Sequence, residues 1–415
     1  MKAGEHACTL CAGRVTDLLD FGPQPVCNRF LPAPDANEYS HDLALGQCES
    51  CALVQIVDPV PIAELASRYE WVVYREPEDH LDALARVIAE LPGITPESVV
   101  AGLSTVDDSL LRRLRQLGLS RQWRLDTAID LGEDVYPPGV QLVQARLDAG
   151  LASRLAATHG RPDVLIGRFL LEHAQDASRF LAGIKALIGD GGYVVVEVPD
   201  CRKAQETGDY SAVWEEHALY FTEVTLQEAF RRSGFEVVRF VAYPYAIQDS
   251  LVLIARPTAA PAAAADALGE ERARWRAWVR ELPGTRARVR RFLGDRARGG
   301  RLAMFGAAQR GCSFINLLEL QSELHAVLDD DPRKQGYYMP GSRAPILPSS
   351  ALQDGGYTLC LLAARPESQE QLRRAHASFS KAGGSFISIY PDATSGLPLL
   401  THIETGKNED HKIQS

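Results

Sequence analysis

Apolar residues recur along this chain in two rhythms. From about 61 to 92 they fall mostly three and four apart, at Ile62, Leu65, Ala66, Leu81, Leu84, Ala85, Val87 and Ile88, which predicts helix. Short, largely apolar runs at 98–103, 123–129, 163–169 and 193–198 then read as buried strands. Helical spacing at 110–119, 144–157, 177–188 and 223–233 places helices between and after them. Strands alternating with helices predict a doubly wound parallel sheet. The runs at 237–241 and 250–255 have no helix between them and predict an antiparallel edge. Residues 257–269 are rich in Pro and Ala and read as a linker. An Arg-rich helix over about 270–297 follows, its charges reading as a solvated face because aromatic residues are sparse among them.

A second α/β unit starts at Arg301, with strands expected at 302–305, 324–328, 358–362 and 386–389 and helices through 315–318 and 367–382. Residues 1–60 show neither rhythm and read as irregular. The expected organisation is α/β throughout: an N-terminal domain over 1–60, a doubly wound domain over 61–256, a linker and helix over 257–298, and a Rossmann-like domain over 299–395. The polar stretch 396–415 reads as a tail.

Two of the eight cysteines' spacings change this picture. Cys8 and Cys11 form one Cys-x-x-Cys turn, and Cys48 and Cys51 form another. Each places two thiolates on one tight turn, ready for two corners of a tetrahedron. A metal holds such a loop-rich segment together where a core cannot. A structural zinc site is the expectation; free thiols or an iron–sulfur site are the competing readings. Cys27, Cys201, Cys312 and Cys360 show no pairing pattern and read as packing residues.

Bulk composition narrows the class. Apolar residues make up 46% and charged residues 24% of 415, as in a globular chain with more than one core. The formal net charge of −10 argues against nucleic acid or anionic lipid as the main partner. No run of 18 apolar residues occurs, so no membrane span is expected, and the polar start argues against a signal peptide. Cytoplasmic localisation and a small-molecule substrate are the expectations.

Four segments carry a resemblance. The first is Gln24-Pro25-Val26-Cys27-Asn28-Arg29-Phe30 together with Gln47-Cys48-Glu49-Ser50-Cys51-Ala52-Leu53-Val54-Gln55. The second is Asp163-Val164-Leu165-Ile166-Gly167-Arg168-Phe169-Leu170-Leu171-Glu172-His173. The third is Trp214-Glu215-Glu216-His217-Ala218-Leu219-Tyr220-Phe221-Thr222. The fourth runs from Asp329-Asp330-Asp331-Pro332-Arg333-Lys334-Gln335-Gly336 to Pro340-Gly341. In this order they resemble the zinc-containing sugar C-methyltransferases, over about residues 5–392. That family acts on nucleotide-linked keto-deoxysugars in antibiotic and cell-surface sugar pathways. The resemblance implies a class I methyltransferase-like central domain, S-adenosylmethionine (SAM) as cofactor, and a C-terminal Rossmann-like domain that binds no dinucleotide. That last point matters because Asp329, after the Gly306–Gly311 turn, taken alone suggests an NAD ribose contact.

The chain departs from the family at its glycine-rich SAM loop. Roughly Glu-x-Gly-Ser-Asn-Asp-Gly-x-Leu-Leu becomes Gly102-Leu103-Ser104-Thr105-Val106-Asp107-Asp108-Ser109-Leu110-Leu111. The lost glycines let backbone approach the methionyl part of SAM. The family's Ser-rich stretch becomes Tyr69 to Pro77, and its Gly-Gly-Ser-Leu-Arg becomes Gln248 to Val252.

C-methylation beside a ketone needs a base for a carbon-bound proton, and a neutral imidazole suits that step near pH 7. By its match to the family position, His217 is the expected base, with Glu216 orienting it or bonding the sugar and Tyr220 supplying a hydroxyl. Ser104, Asp107, Asp126 and Glu172 are the expected cofactor contacts. Tyr69, Trp71, Trp214, Arg310 and Lys334 are the expected substrate contacts. The structural alternatives are a capping or core role for His217, a helix start for Glu172 and His173, a turn for Asp126 and plain surface charge for Arg310 and Lys334. A fold that has lost methyl transfer, leaving enolisation, epimerisation or rearrangement, and a non-catalytic biosynthetic partner are the competing functions.

Overall fold

The computed structural model describes residues 6–66, 68–69, 76–135, 139–259, 267–297, 299–390 and 397. The chain divides into two compact units. The first holds residues 1–31, 35–201 and 213–279, and the second holds 32–34, 202–212 and 280–415.

The first unit opens with strands, not with irregular chain. β1 (His6–Ala7), β2 (Arg14–Pro25), β3 (Ser40–Cys48) and β4 (Val54–Ile56) form an antiparallel sheet. The alternation was hard to read because β2 contains Gly22 and Pro23 and its register with β3 shifts twice. Bulges of this kind break the period of two.

The doubly wound part follows as expected. β5 (Val99–Gly102), β6 (Arg121–Arg124), β7 (Val164–Arg168) and β8 (Tyr193–Pro199) run parallel. β9 (Leu219–Tyr220) leaves this sheet and pairs antiparallel with β4. β10 (Phe235–Tyr243) and β11 (Ser250–Pro257) complete the central sheet as its antiparallel side, in the order β10-β11-β8-β7-β5-β6. β7 and β8 are buried nearly throughout, which is why they read as unbroken apolar runs.

Three expected elements end earlier or split. The strand foreseen over 123–129 stops at Arg124, because the Asp126 side chain accepts from the N–H groups of Ala128 and Ile129 and starts the helix Thr127–Asp130. The helix foreseen over 144–157 is two helices, Val140–Arg146 and Ala149–His159, since Asp148 caps the second by accepting from Leu151 N–H. The stretch 61–92 also forms two helices, Ile62–Leu65 and Leu81–Ala89.

One apolar cluster links the cysteine segment to the central sheet. Cys8, Leu10, Val15, Cys48, Cys51 and Leu53 pack in the same core as Leu170, Phe221, Leu226 and Phe230. Each such side chain removed from water stabilises by roughly 1.5–3 kcal/mol.

The second unit has a parallel sheet of its own. β12 (Arg301–Phe305), β13 (Leu324–Leu328), β14 (Ile346–Leu347), β15 (Tyr357–Leu362) and β16 (Ser385–Ser388) run in the order β14-β13-β12-β15-β16. The two-residue β14 was not foreseen, being too short to show a pattern.

Candidate functional site

The four paired cysteines converge. Cys8 Sγ lies 3.7 Å from Cys51 Sγ, and Cys11 Sγ lies 3.5 Å from Cys48 Sγ. All four sulfurs lie within 4.8 Å of one another. Zinc–sulfur bonds of about 2.3 Å in a tetrahedron set the sulfurs about 3.8 Å apart, so the donor set and its spacing fit zinc. The two turns are built alike. Ala12 N–H donates to Cys8 C=O and Ala52 N–H to Cys48 C=O, and both alanines take positive φ, 57° and 60°. The N–H groups of Ser50 and Cys51 donate to Cys48 Sγ at 3.4 Å. Side-chain bonds from Cys51 and Cys8 hold the Cys48 thiol well below the usual thiol range, so it is the readiest thiolate of the set.

A second cluster forms around the Trp214 to Thr222 segment. Tyr220 Oη accepts from Trp214 N–H at 3.1 Å and donates to Trp214 C=O at 3.0 Å. His217 N–H also donates to Trp214 C=O, at 3.0 Å. The turn thereby presents the His217 ring 4.7 Å from Trp214 and 4.9 Å from His173, the latter edge to face at 89°. Tyr220's hydroxyl thus bonds both backbone groups of Trp214.

His173 closes the short helix Leu171–His173 after β7. Its Nδ1 lies 2.9 Å from Glu216 C=O and 2.9 Å from Gln141 Nε2. Burial lowers its pKa to about 4, so the imidazole is neutral. The Glu216 carboxylate accepts from Asn28 Nδ2 and Gln141 Nε2, both at 3.5 Å. Beside it, Glu215 accepts from Cys27 N–H at 2.6 Å and from Cys27 Sγ at 3.1 Å, and burial raises its pKa.

The crevice outside the carboxyl ends of β5 and β7 is the topological switch point of the central sheet, since β6 lies on one side of β5 and β7 on the other. Ser104 and Asp107 sit in the turn after β5, where both side chains accept from backbone N–H groups. Asp107 Oδ2 accepts from the N–H groups of Leu103 (2.8 Å) and Ser104 (3.0 Å), and its Oδ1 accepts from Arg168 N–H at 3.0 Å. Ser104 Oγ accepts from Val106 N–H. The fully buried Arg168 guanidinium donates to Glu197, to Val106 C=O and to Pro77 C=O. Asp126 follows β6 directly. Its Oδ1 caps a helix while Oδ2 takes no part in that cap, so a carboxylate oxygen at this strand end fits as acceptor for the ribose hydroxyls of an adenosine ligand.

The remaining expected residues are dispersed. Tyr69 donates its hydroxyl to Phe30 C=O at 3.2 Å. Trp71 lies outside the described residues. In the second unit, Arg310 pairs with Asp209 at 2.8 Å. Lys334 bonds Ala307 C=O and Asp329 Oδ2, and Asp329 Oδ2 also accepts from Ala307 N–H. Asp329 is therefore engaged by its own loop.

Sequence reasoning passed over Gln141, Asn28 and Arg168. Asn28 and Arg168 stand inside quoted motifs and were readable as buried polar anchors. Gln141 stands in no motif, and only folding brings it to His173.

Parts of this chain are similar to known proteins. A family model described as the C-methyltransferase C-terminal domain matches residues 260–391. Another, described as a zinc binding domain, matches residues 8–65. The C-methyltransferase NovU of Streptomyces niveus is 27% identical over 347 residues, 80% of this chain and 82% of that protein. Among solved structures, the 1,6-didemethyltoxoflavin-N1-methyltransferase of Burkholderia thailandensis is 17% identical, covers 50% of this chain and 96% of its own, and has a TM-score of 0.27. The mitomycin 7-O-methyltransferase MmcR is 19% identical, covers 43% and 54%, and has a TM-score of 0.29. No helix among the described residues is long and apolar enough to cross a membrane.

Proposed function

We propose that this chain, similar to C-methyltransferases at its C-terminal domain and in its zinc-binding segment, methylates a carbon beside the ketone of a nucleotide-linked keto-deoxysugar or a related small metabolite. The observation that carries the reading is the convergence of His217, His173 and Glu216, two imidazoles against a held carboxylate. The sugar substrate rests on the motif resemblance alone.

His217 takes the proton from the carbon beside the ketone on an imidazole nitrogen, and the C–H electron pair moves toward the carbonyl oxygen as an enolate. His173, anchored through Nδ1, fixes the neighbouring ring. Glu216, held by Asn28 and Gln141, orients the sugar by accepting a hydroxyl. Tyr220 positions His217 through the Trp214 backbone. Asp126 and the Ser104 turn would hold SAM, and SAM when bound supplies the electrophilic methyl group. The four cysteines hold a structural zinc with no position open for chemistry.

A second reading keeps the proton step and drops the methyl transfer. It is favoured by the turn after β5, where the N–H groups of Leu103 and Ser104 are spent on Asp107 and Arg168 lies buried beside them. Calorimetric titration with SAM and S-adenosylhomocysteine separates the two. Micromolar binding supports methyl transfer; no binding by folded, zinc-loaded protein leaves enolisation or epimerisation. His217→Asn should lower solvent-deuterium exchange at the substrate carbon by roughly 10²–10⁴-fold. Exchange at the wild-type rate would remove His217 from the mechanism.

A further inference from the structure

The cysteine cluster is not alone among the described residues in gathering metal-ligating groups. Glu172, His173 and His217 each present a ligand atom, one carboxylate oxygen and two imidazole nitrogens, all within 4.8 Å of one another. We propose that these three residues form a second divalent-cation site, and that a cation held there competes with the proton for His217.

The strongest observation is Glu172. Its side chain is 2% exposed, and neither carboxylate oxygen has a hydrogen-bond partner among the described residues. A buried carboxylate without a partner is costly, and buried charges are ordinarily paired or bound to metal. The orphaned oxygens lie within reach of two imidazoles, and among the described residues no Lys or Arg is bonded to them.

His173 is arranged as a ligand. With Nδ1 bonded to Glu216 C=O, the proton sits on Nδ1 and the lone pair on Nε2. Metal-bound histidines commonly give their second ring nitrogen to a carbonyl in this way, which fixes the tautomer and the ring plane. His217 meets the His173 ring edge to face, and its own backbone is fixed by the bond to Trp214 C=O. The ligands thus come from two short braced segments, one after β7 and one before β9.

Two imidazoles and one carboxylate select borderline metals such as zinc, iron, cobalt or nickel over magnesium. This differs from the all-sulfur site, so the two sites are separable by ligand type. A metal on His217 occupies the lone pair that the proton step requires. That consequence rests on the proposed role of His217; the site itself does not.

The test uses full-length, untagged protein already carrying one zinc per chain. It is dialysed against micromolar cobalt(II) or zinc(II), and bound metal is counted by elemental analysis. The expected result is a second equivalent. Cobalt in it should show weak ligand-field bands without the intense sulfur charge transfer of a thiolate site. Glu172→Gln should keep the first equivalent and bind the second at least about 10–100-fold more weakly. Wild-type protein that stops at one equivalent overturns the site without need of a variant, as does full retention of the second equivalent by Glu172→Gln. Deuterium exchange at the substrate carbon should fall as the second equivalent binds. A second equivalent that leaves this exchange unchanged overturns the competition and removes His217 as base, with the site standing.

Discussion

Val54, three residues beyond Cys51, is the β-sheet partner of Tyr220, three residues beyond His217. The Cys48–Cys51 turn and the segment that carries His217 are thus neighbours through one pair of strands. Holding Cys48 and Cys51 holds β4, β4 holds β9, and Tyr220 on β9 grips the Trp214 backbone that presents His217. A metal held by the four cysteines would therefore brace the proposed site without touching it.

Removing the metal should therefore act at a distance. Cys51→Ser, or chelation, is expected to destabilise the first unit by more than about 4 kcal/mol, in the range reserved for loss of a metal or a buried network. Hydrogen exchange followed by mass spectrometry should show residues 214–222 losing protection together with 48–56. Protection unchanged at 214–222 would break the proposed chain from β4 to His217.

Tyr220→Phe removes one hydroxyl and leaves the Trp214 N–H and C=O without it. The cost expected from unmade buried hydrogen bonds is about 1–3 kcal/mol. Because Tyr220 acts through His217, kcat should fall while KM stays near its wild-type value. A rise in KM with kcat unchanged would instead return the hydroxyl to the substrate.

Arg168 and Glu197 form a fully buried ion pair at the carboxyl ends of β7 and β8. Arg168→Met leaves Glu197 with only Ser250 and His80. Breaking such a pair from one side costs about 3–5 kcal/mol. Urea denaturation of Arg168→Met, Glu197→Gln and the double variant measures it, and additive losses would show that the two charges do not couple.

The same pair sets an acid limit. Burial pushes the Glu197 carboxyl up, but the Arg168 charge and the His80 bond outweigh it, and its pKa is held below the usual 4.5. A depressed carboxylate contributes stability that is present above the usual value and lost as pH falls through the lowered one. Wild-type stability should drop between about pH 4.5 and the lowered value. Glu197→Gln, which cannot titrate, should lack that part of the slope; an identical slope would assign the acid loss to other groups.

Much of this protein was legible in the order of its residues. The strands β5, β7, β8, β12, β13 and β15 announce themselves because parallel, doubly covered strands must be apolar on both faces. The cysteine turns are equally plain, since each pair lies within one local turn. The antiparallel N-terminal sheet was hidden because its register shifts, between Asp17 and Leu19 and between Asp20 and Pro23, break the period of two.

Sequence also named His217, Glu216 and Glu172, but only folding set their company. Gln141 reaches His173 from a helix 32 positions away, and Asn28 reaches Glu216 across 188. Such contacts leave no local pattern, because neither spacing nor composition records which side chains meet across a sheet. Tyr220's phenol, Asp107's carboxylate and Lys334's ammonium read as groups for ligands, yet each is bonded to its own backbone neighbourhood. A residue type fixes which bonds a side chain can make. Which partner takes them is decided by tertiary proximity, since a buried polar group binds whatever partner the fold brings within reach.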